Sequence, residues 1–274
     1  MRRGAIFGLA CIVALAAAEQ VQAGILYSND FESASYGVTD WSATARVSSG
    51  TNGIASAGGG FHAESQPSAF TRWGGYNFGA GTNVPTQFQE FSTKVDIYLD
   101  VDGGWANNTR FDYDSAISNS GGGFQRDFIF NGGFFNDATG PGAGGNRFVF
   151  SASNNSQPGN AFAKNPGRNP IAISDSGWYT FEHHFRDNAG VLAVDMSIFA
   201  GNSLVYSWTL SNASDLIGQI GGNRYGWFDF SEFPTLAIDN AQLSTAVPEP
   251  ASLAIWGLTG LALAIGAARR RRTA

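Results

Sequence analysis

Aromatic residues in polar, glycine-rich stretches are the side chains of this sequence best suited to bind a ligand. Trp105 stands two residues before Asn107, and Trp73 precedes Tyr76 across two glycines. An aromatic ring can stack on the apolar face of a sugar ring while a neighbouring amide bonds its hydroxyl groups, so these four residues are the candidate sugar-binding set. The alternative, that the rings pack beneath glycine-rich loops, is favoured because large aromatics often do so.

Two aspartates raise the question of a calcium site. Asp100 and Asp102 alternate just before a glycine, which is the oxygen-ligand spacing that opens some calcium loops. Asp112 and Asp114 repeat the spacing and would lie nearby if the two segments formed a hairpin. An EF-hand is excluded because its closing Glu position is occupied by Phe111. An acidic turn explains the same residues, so no cofactor is predicted and calcium is the one alternative.

The histidines and carboxylates do not form a known catalytic motif. Adjacent His183 and His184 point to opposite faces of a strand, so they cannot hold one metal ion together. His183 shares its face with aromatic residues at positions 179, 181 and 185, which predicts a hydrogen-bonded core histidine. The Glu-x-Asp-x-x-Glu pattern of retaining jelly-roll glucanases is absent. We therefore predict that the chain is not an enzyme, with hydrolysis by another carboxylate pair as the alternative.

The charge is unevenly distributed along the chain. The net charge is −6, but six of the 16 basic residues and only two of the 22 acidic residues lie in the end segments 1–23 and 247–274. The body between them therefore carries about −10. Binding to nucleic acid depends on basic patches that neutralise phosphates, so nucleic acid is not expected as a partner.

The first 23 residues have the layout of a secretion signal. Arg2 and Arg3 are followed by an uncharged run from Ala5 to Ala18. Small residues then place the predicted signal-peptidase cut between Ala23 and Gly24. Signal peptidase is accordingly a predicted partner, and the protein is predicted to be exported.

The last 28 residues have three parts in a fixed order. The motif Val247-Pro248-Glu249-Pro250 precedes an uncharged apolar run at residues 252–268, and Arg269, Arg270, Arg271 and Arg272 follow at once. As a helix the run would be about 25 Å long, slightly less than the ~30 Å hydrocarbon core of a bilayer. The arginines would stay cytoplasmic, which places the body outside the cytoplasm and agrees with the secretion signal.

This tail resembles the PEP-CTERM sorting signal of bacterial exosortase substrates. The resemblance covers residues 247–274. It implies that an exosortase, a membrane-embedded cysteine transpeptidase, recognises the motif and severs the tail nearby, typically in bacteria that build exopolysaccharide. The precursor would be anchored in the inner membrane, and the body would then reach the cell surface or the extracellular matrix. The alternative is a plain C-terminal membrane anchor with a proline-rich neck.

The body, residues 24–246, reads as one all-β domain. Apolar and polar residues alternate over 93–101, 192–198 and 204–210, and further strands are predicted near 25–31, 124–130, 147–151, 178–186, 225–230 and 236–243. Residues 213–220 alone suggest a helix. These features predict an antiparallel β-sandwich, and Asn29 to Glu32, Gly177 to Phe181 and Ala237 to Leu243 resemble segments of concanavalin-like and laminin-G-like jelly rolls.

Three functional hypotheses follow. The leading one is a non-enzymatic surface or matrix protein, processed by an exosortase and placed among exopolysaccharide in a biofilm. The second is a carbohydrate-binding, lectin-like module that grips this polymer through loop aromatics, with or without calcium. The third is a glycan hydrolase.

Overall fold

The computed structural model describes residues 24–33, 44–65, 87–154 and 162–245, apart from the side chains of residues 222–227, 229 and 230. All of them belong to one compact unit, Gly24–Ala246, while the second unit, Met1–Ala23 with Val247–Ala274, lies outside the described residues. The predicted secretion signal, sorting motif, membrane helix and arginine cluster therefore fall outside them. Within the described ranges, no helix has the length and apolar character needed to span a membrane.

Thirteen strands and three short 3-10 helices make up the described part of the chain. The strands are β1 (Ile25–Asn29), β2 (Thr44–Ser48), β3 (Phe61–Ser65), β4 (Phe91–Leu99), β5 (Thr109–Asn119), β6 (Phe124–Phe135), β7 (Arg147–Asn154), β8 (Ile171–Ile173), β9 (Gly177–Asn188), β10 (Val191–Ala200), β11 (Ser203–Leu216), β12 (Ile220–Ser231) and β13 (Leu236–Thr245). The 3-10 helices cover Thr51–Gly53, Pro166–Arg168 and Ile217–Gln219.

The strands form two antiparallel sheets. The larger has the order β11-β10-β9-β4-β13-β3-β2, and β1 also pairs with β13. The smaller has the order β12-β5-β6-β7-β8. Strand β13 is therefore bonded to β1, β3 and β4, which ties the end of the body to its beginning and its middle.

Alternation of side chains explains how the two sheets share a core. Along β4, Val95 and Ile97 are fully buried while Lys94 is half-exposed, because successive residues of a strand point to opposite faces. The buried faces meet in one cluster: Phe130 of β6 lies against Phe181 of β9, with ring centroids 5.2 Å apart. Burying one such phenylalanine stabilises the fold by roughly 1.5–3 kcal/mol. The prediction of an all-β fold with antiparallel sheets is confirmed.

The helix predicted at residues 213–220 is wrong. Strand β11 continues to Leu216, one 3-10 turn follows, and β12 begins at Ile220. Asp215 lies in this extension with its carboxylate buried, and it accepts hydrogen bonds from Arg126 Nε at 2.5 Å and Arg126 Nη2 at 3.0 Å. This pairing joins residues far apart in the sequence, so local propensity does not reveal it.

The hairpin that would bring Asp112 and Asp114 beside Asp100 does not form. Strand β4, which ends just before Asp100, lies between β9 and β13 in the larger sheet. Strand β5, which carries Asp112 and Asp114, lies between β12 and β6 in the smaller one. The physical reason is that each strand buries one face in the shared core, so the two strands pack across the sandwich instead of pairing side by side.

Candidate functional site

A cleft of about 290 Å³ opens at the end of the sandwich where β4 stops and β13 starts. Three connections surround it: the β2–β3 connection, the β4–β5 connection and the β12–β13 connection. Two half-buried aromatic side chains, Tyr98 and Trp105, line it together with the buried rings of Phe148 and Phe233. The polar side chains at the cleft are those of Asn52, Asp100 and Thr235. The site thus combines flat apolar surfaces with an amide, a carboxylate and a hydroxyl group.

Trp105 is held in place by a hydrogen bond and by ring packing. Its indole Nε1–H donates to the main-chain oxygen of Asp100 at 2.7 Å, and its ring meets that of Phe233 edge-on, with centroids 5.3 Å apart. Gly103 lies beneath the ring, and a Cβ atom at that position would be only 2.5 Å from Trp105 Cε2. The turn therefore needs glycine at 103, and the half-buried indole is held rigidly at the edge of the cleft.

The β2–β3 connection is fixed by several side-chain hydrogen bonds. Asn52 donates its amide to Glu64 Oε1 at 2.8 Å, and Trp178 donates its indole N–H to the carbonyl of Ala55 at 2.8 Å. Ser56 Oγ lies 3.1 Å from Nδ1 of the buried His62. Desolvation by burial lowers the pKa of His62, against the opposing effect of Glu64.

Asp239 holds the same connection from β13. Its carboxylate accepts hydrogen bonds from the main-chain N–H groups of Ala57 at 3.0 Å and Gly58 at 3.3 Å. Burial raises the pKa of Asp239 to about 6, although the donated N–H groups partly counteract this shift. The wall of the cleft that carries Asn52 is thus attached to the sheet at several points.

The predicted sugar-binding residues do not all meet in this cleft. Trp105 lines it, but it also packs against the core, as the packing interpretation expected. Asn107 instead accepts a hydrogen bond from the main-chain N–H of Asn136 at 3.0 Å, which fixes a neighbouring loop. Trp73 and Tyr76 lie outside the described residues. The sequence reasoning missed Asn52, Tyr98, Phe233 and Thr235, for which no local pattern signals a shared site.

The two aspartates of the calcium hypothesis, Asp100 and Asp102, differ in their exposure to solvent. Asp100 is half-buried and lines the cleft, whereas Asp102 is exposed. Asp112, which would have lain nearby only in a hairpin, accepts a hydrogen bond from Asn131 Nδ2 at 3.0 Å in the smaller sheet. In the ranges that the structure describes, no three His, Cys, Asp or Glu side chains come together as metal ligands.

His183 is a core histidine, as predicted. Its side chain is fully buried, its Nε2 lies 3.1 Å from the main-chain oxygen of Phe128, and its ring lies 4.8 Å from that of Phe130. Desolvation lowers its pKa to about 3, although the bond to Phe128 opposes this shift. A histidine that stays neutral in the core and does not reach the cleft has a structural role.

Comparisons with known proteins do not assign this chain to a family. No family model matches it, and no curated protein matches it. A solved structure that matches is described as the CBM2 module of Lactobacillus casei BL23 phage J-1 evolved Dit, with a TM-score of 0.38 and 11% identity over 83% of this chain and 97% of that one. A TM-score this low supports no inference about function.

Proposed function

We propose that this chain is an exported, non-enzymatic glycan-binding protein of the extracellular matrix, built on a jelly-roll sandwich, and that the cleft at Trp105 holds the sugar. The observation that carries the proposal is the composition of this cleft. It places the half-buried rings of Tyr98 and Trp105 beside the polar groups of Asn52, Asp100 and Thr235. Sugar rings have apolar faces and a rim of hydroxyl groups, which such a lining complements.

The size of the cleft supports recognition of a short portion of a glycan. Its volume of about 290 Å³ lies at the small end of ligand sites, which hold roughly 300–1,000 Å³. One or two sugar residues at a chain end or branch would fit this space better than a long oligosaccharide.

The carboxylates at the cleft favour binding over hydrolysis. A glycosidase places two carboxyl groups on opposite sides of the bond to be cleaved. Among the described residues that line the cleft, Asp100 is the single carboxylate. This supports a binding module as opposed to the glycan hydrolase that was the third hypothesis.

The positions of the body's two ends support export and tail processing. Gly24 donates its N–H to Thr245 Oγ1 at 2.8 Å, and the N–H of Thr245 donates to the carbonyl of Gly24 at 2.9 Å. Gly24 and Thr245, which lie close in sequence to the predicted signal-peptidase cut and the predicted exosortase motif, therefore meet at one end of β13, and neither cut would remove a residue of a described strand.

The cleft lies at the other end of the same strand. Leu236, the first residue of β13, lines the cleft, while Thr245 is its last residue. Ten residues at ~3.3 Å each make the strand about 33 Å long. A body attached through its C-terminal end would thus keep the cleft well away from the point of attachment.

The binding proposal is tested on residues 24–246, which form one compact unit with its own core. We expect retardation of this protein in native gels that contain the host's exopolysaccharide, and at least tenfold weaker binding for Tyr98→Ala and Trp105→Ala. Phe124→Ala is the matched control, because Phe124 is 47% exposed and lies outside the cleft. Equal retardation of all four proteins would refute a site at the cleft, and release of reducing sugar would refute a purely binding role.

The sorting proposal has its own test in the full-length precursor. Replacing Pro248, Glu249 and Pro250 by alanine is expected to leave an uncleaved, membrane-bound form in host cells. Replacing Arg269 to Arg272 by alanine is expected to impair retention of the precursor in the membrane. Normal release of the body from both variants would exclude an exosortase signal. Normal release from the Pro248, Glu249 and Pro250 variant alone would exclude this motif as the element that the exosortase recognises.

A further inference from the structure

A continuous row of polar side chains crosses the outer face of the larger sheet. Strand register pairs Ser28 with Gln242, Gln242 with Lys94, Lys94 with Glu182, Glu182 with Ser197, and Ser197 with Ser207. Residues directly opposite one another in antiparallel strands point to the same face. Because Val95 beside Lys94 is buried in the core, the face that carries this row is the outer one. We call these six residues the polar row.

The polar row is long enough for several sugar residues. It crosses six neighbouring strands, and strands lie ~4.8 Å apart, so the row extends for about 24 Å. That spacing is close to the length of one sugar residue in an extended polysaccharide. Successive sugars of a chain lying across the strands would therefore meet successive side chains.

The lines of side chains on either side of the polar row are already internally bonded. On one side Asp96 accepts hydrogen bonds from Thr180 Oγ1 at 2.5 Å and from Asn240 Nδ2 at 2.8 Å. On the other side Asp195 accepts from Arg186 Nε and from Thr209 Oγ1, both at 2.6 Å. These carboxylates have little capacity left for an external ligand.

The middle of the polar row differs from these flanks. Ser197 and Ser207 bond each other at 2.9 Å, at one end of the row. Within the described part of the chain, the side chains of Lys94, Glu182 and Gln242 make no hydrogen bond or ion pair of their own. Their donors and acceptors are available to a ligand on the surface.

A depression in the surface marks the other end of the polar row. It encloses about 360 Å³ and is lined by Ser28, Lys94 and Gln242 of the row, with Asp96, Thr180 and Asn240 beside them. The sheet face is therefore recessed where the unbonded side chains begin. A chain that lies across the strands would enter this recess.

We propose that the polar row binds an extended, uncharged polysaccharide chain. Hydroxyl, amide, ammonium and carboxylate groups in one line offer both donors and acceptors to sugar hydroxyls. Lys94 and Glu182 have opposite charges, so the row carries no net charge, and a body of about −10 disfavours a polyanionic chain. An added peptide strand is disfavoured because the row lies on the face of the sheet, where the backbone groups already pair within it.

The polar row is distinct from the Trp105 cleft. Tyr98, which lines the cleft, is four residues from Lys94 on the same strand, which corresponds to about 13 Å. The inference rests on the proposed function only in that the ligand is a glycan. The row would hold the length of a chain, whereas the cleft would hold a short portion.

The test measures retardation of residues 24–246 in native gels that contain hydroxyethyl cellulose, mixed-linkage β-glucan, dextran or the host's exopolysaccharide. At least one polymer is expected to retard the wild-type protein. The double variant Lys94→Ala/Gln242→Ala, called the row variant, is expected to bind this polymer at least tenfold more weakly. Gln219→Ala, which removes an exposed glutamine outside the row, is the matched control and should bind as the wild type does. Equal urea midpoints would show that the variants are folded.

Each result separates the row from the cleft. Loss of binding in the row variant but not in Trp105→Ala would support the row and count against the cleft, and the reverse result would overturn the row while leaving the cleft. An unchanged dissociation constant between low and high salt is expected for an uncharged chain, whereas a steep fall in affinity with salt would overturn that part of the proposal. Binding of a second protein but of no polymer, or no binding at all, would overturn it entirely.

Discussion

His183 is expected to make the stability of the body fall in mild acid. Its imidazole is fully buried among Tyr113, Phe130 and Phe185, where a positive charge has no water around it. The pKa is therefore lowered from 6.5 to about 3, because desolvation outweighs the bond to the carbonyl of Phe128. The informative change is His183→Gln, which keeps an N–H donor but cannot acquire a proton.

The sign and size of the effect follow from proton linkage. The unfolded chain binds a proton at His183 below pH 6.5, whereas the folded protein does so only near pH 3. The neutral imidazole thus contributes its full stability above pH 6.5, and this is lost as pH falls, at about 1.4 kcal/mol per pH unit. Between about pH 7.5 and about pH 4.5 the loss amounts to about 2–3 kcal/mol.

The assay is urea unfolding of the wild type and of His183→Gln at both pH values, followed by tryptophan fluorescence. At neutral pH the wild type is expected to be the more stable protein, by about 1–3 kcal/mol, because the substitution disturbs a packed core. This advantage should shrink by about 2–3 kcal/mol at the acidic pH. An advantage that is the same at both values would refute the inference that burial keeps His183 neutral.

Three further predictions concern stability. Arg147 is fully buried and donates hydrogen bonds to the carbonyls of Phe135, Asp137, Thr139, Pro141 and Gly145. Arg147→Met should therefore lower the free energy of unfolding in urea by about 3–5 kcal/mol, and Lys164→Met, at a more accessible position beside Asp137, should lower it clearly less. Similar losses for the two variants would contradict this account. Gly132→Ala would place a Cβ 2.6 Å from Phe150 Cε1 and should lower the free energy of unfolding by about 1–3 kcal/mol. A Cβ at Gly145 would meet no atom within 4 Å, so Gly145→Ala should leave the stability nearly unchanged. Equal urea midpoints for the two variants would argue against this packing. Burial raises the pKa of Asp239 from 3.8 to about 6, so protonation of this carboxyl favours the folded protein as pH falls through that value. The free energy of unfolding of the wild type should therefore rise relative to that of Asp239→Asn between about pH 7.5 and about pH 4.5. A fall in the stability of the wild type relative to this variant would exclude the raised pKa.

The strands that could be predicted from the sequence are those with a clear two-residue period. Strands β4, β9, β10 and β13 were expected at nearly their observed positions, and the inward direction of His183 followed from the same alternation. Strands β2, β3, β5 and β8 were missed. Long-range contacts also decided residues 213–216, where the buried Asp215–Arg126 pair keeps the chain extended.

A minor part of the candidate site was within reach of sequence reasoning. Trp105 and Asp100 were singled out for their types and neighbours, and both line the cleft. Asn107 was grouped with Trp105 because it is two residues away, yet its side chain turns to the main chain of Asn136. Proximity in the sequence of a loop does not fix the direction of its side chains.

The sequence by itself determined which face of each regular strand is apolar, because a period of two residues assigns side chains to faces without reference to the rest of the chain. It also determined the order of charged, apolar and proline-rich segments at the two ends. Only the tertiary structure decided that Asn52, Tyr98, Trp105 and Phe233 share a cleft, and that Lys94 lies between Gln242 and Glu182. Both arrangements depend on the register between strands that are far apart in the chain, and that register is set by packing in the common core.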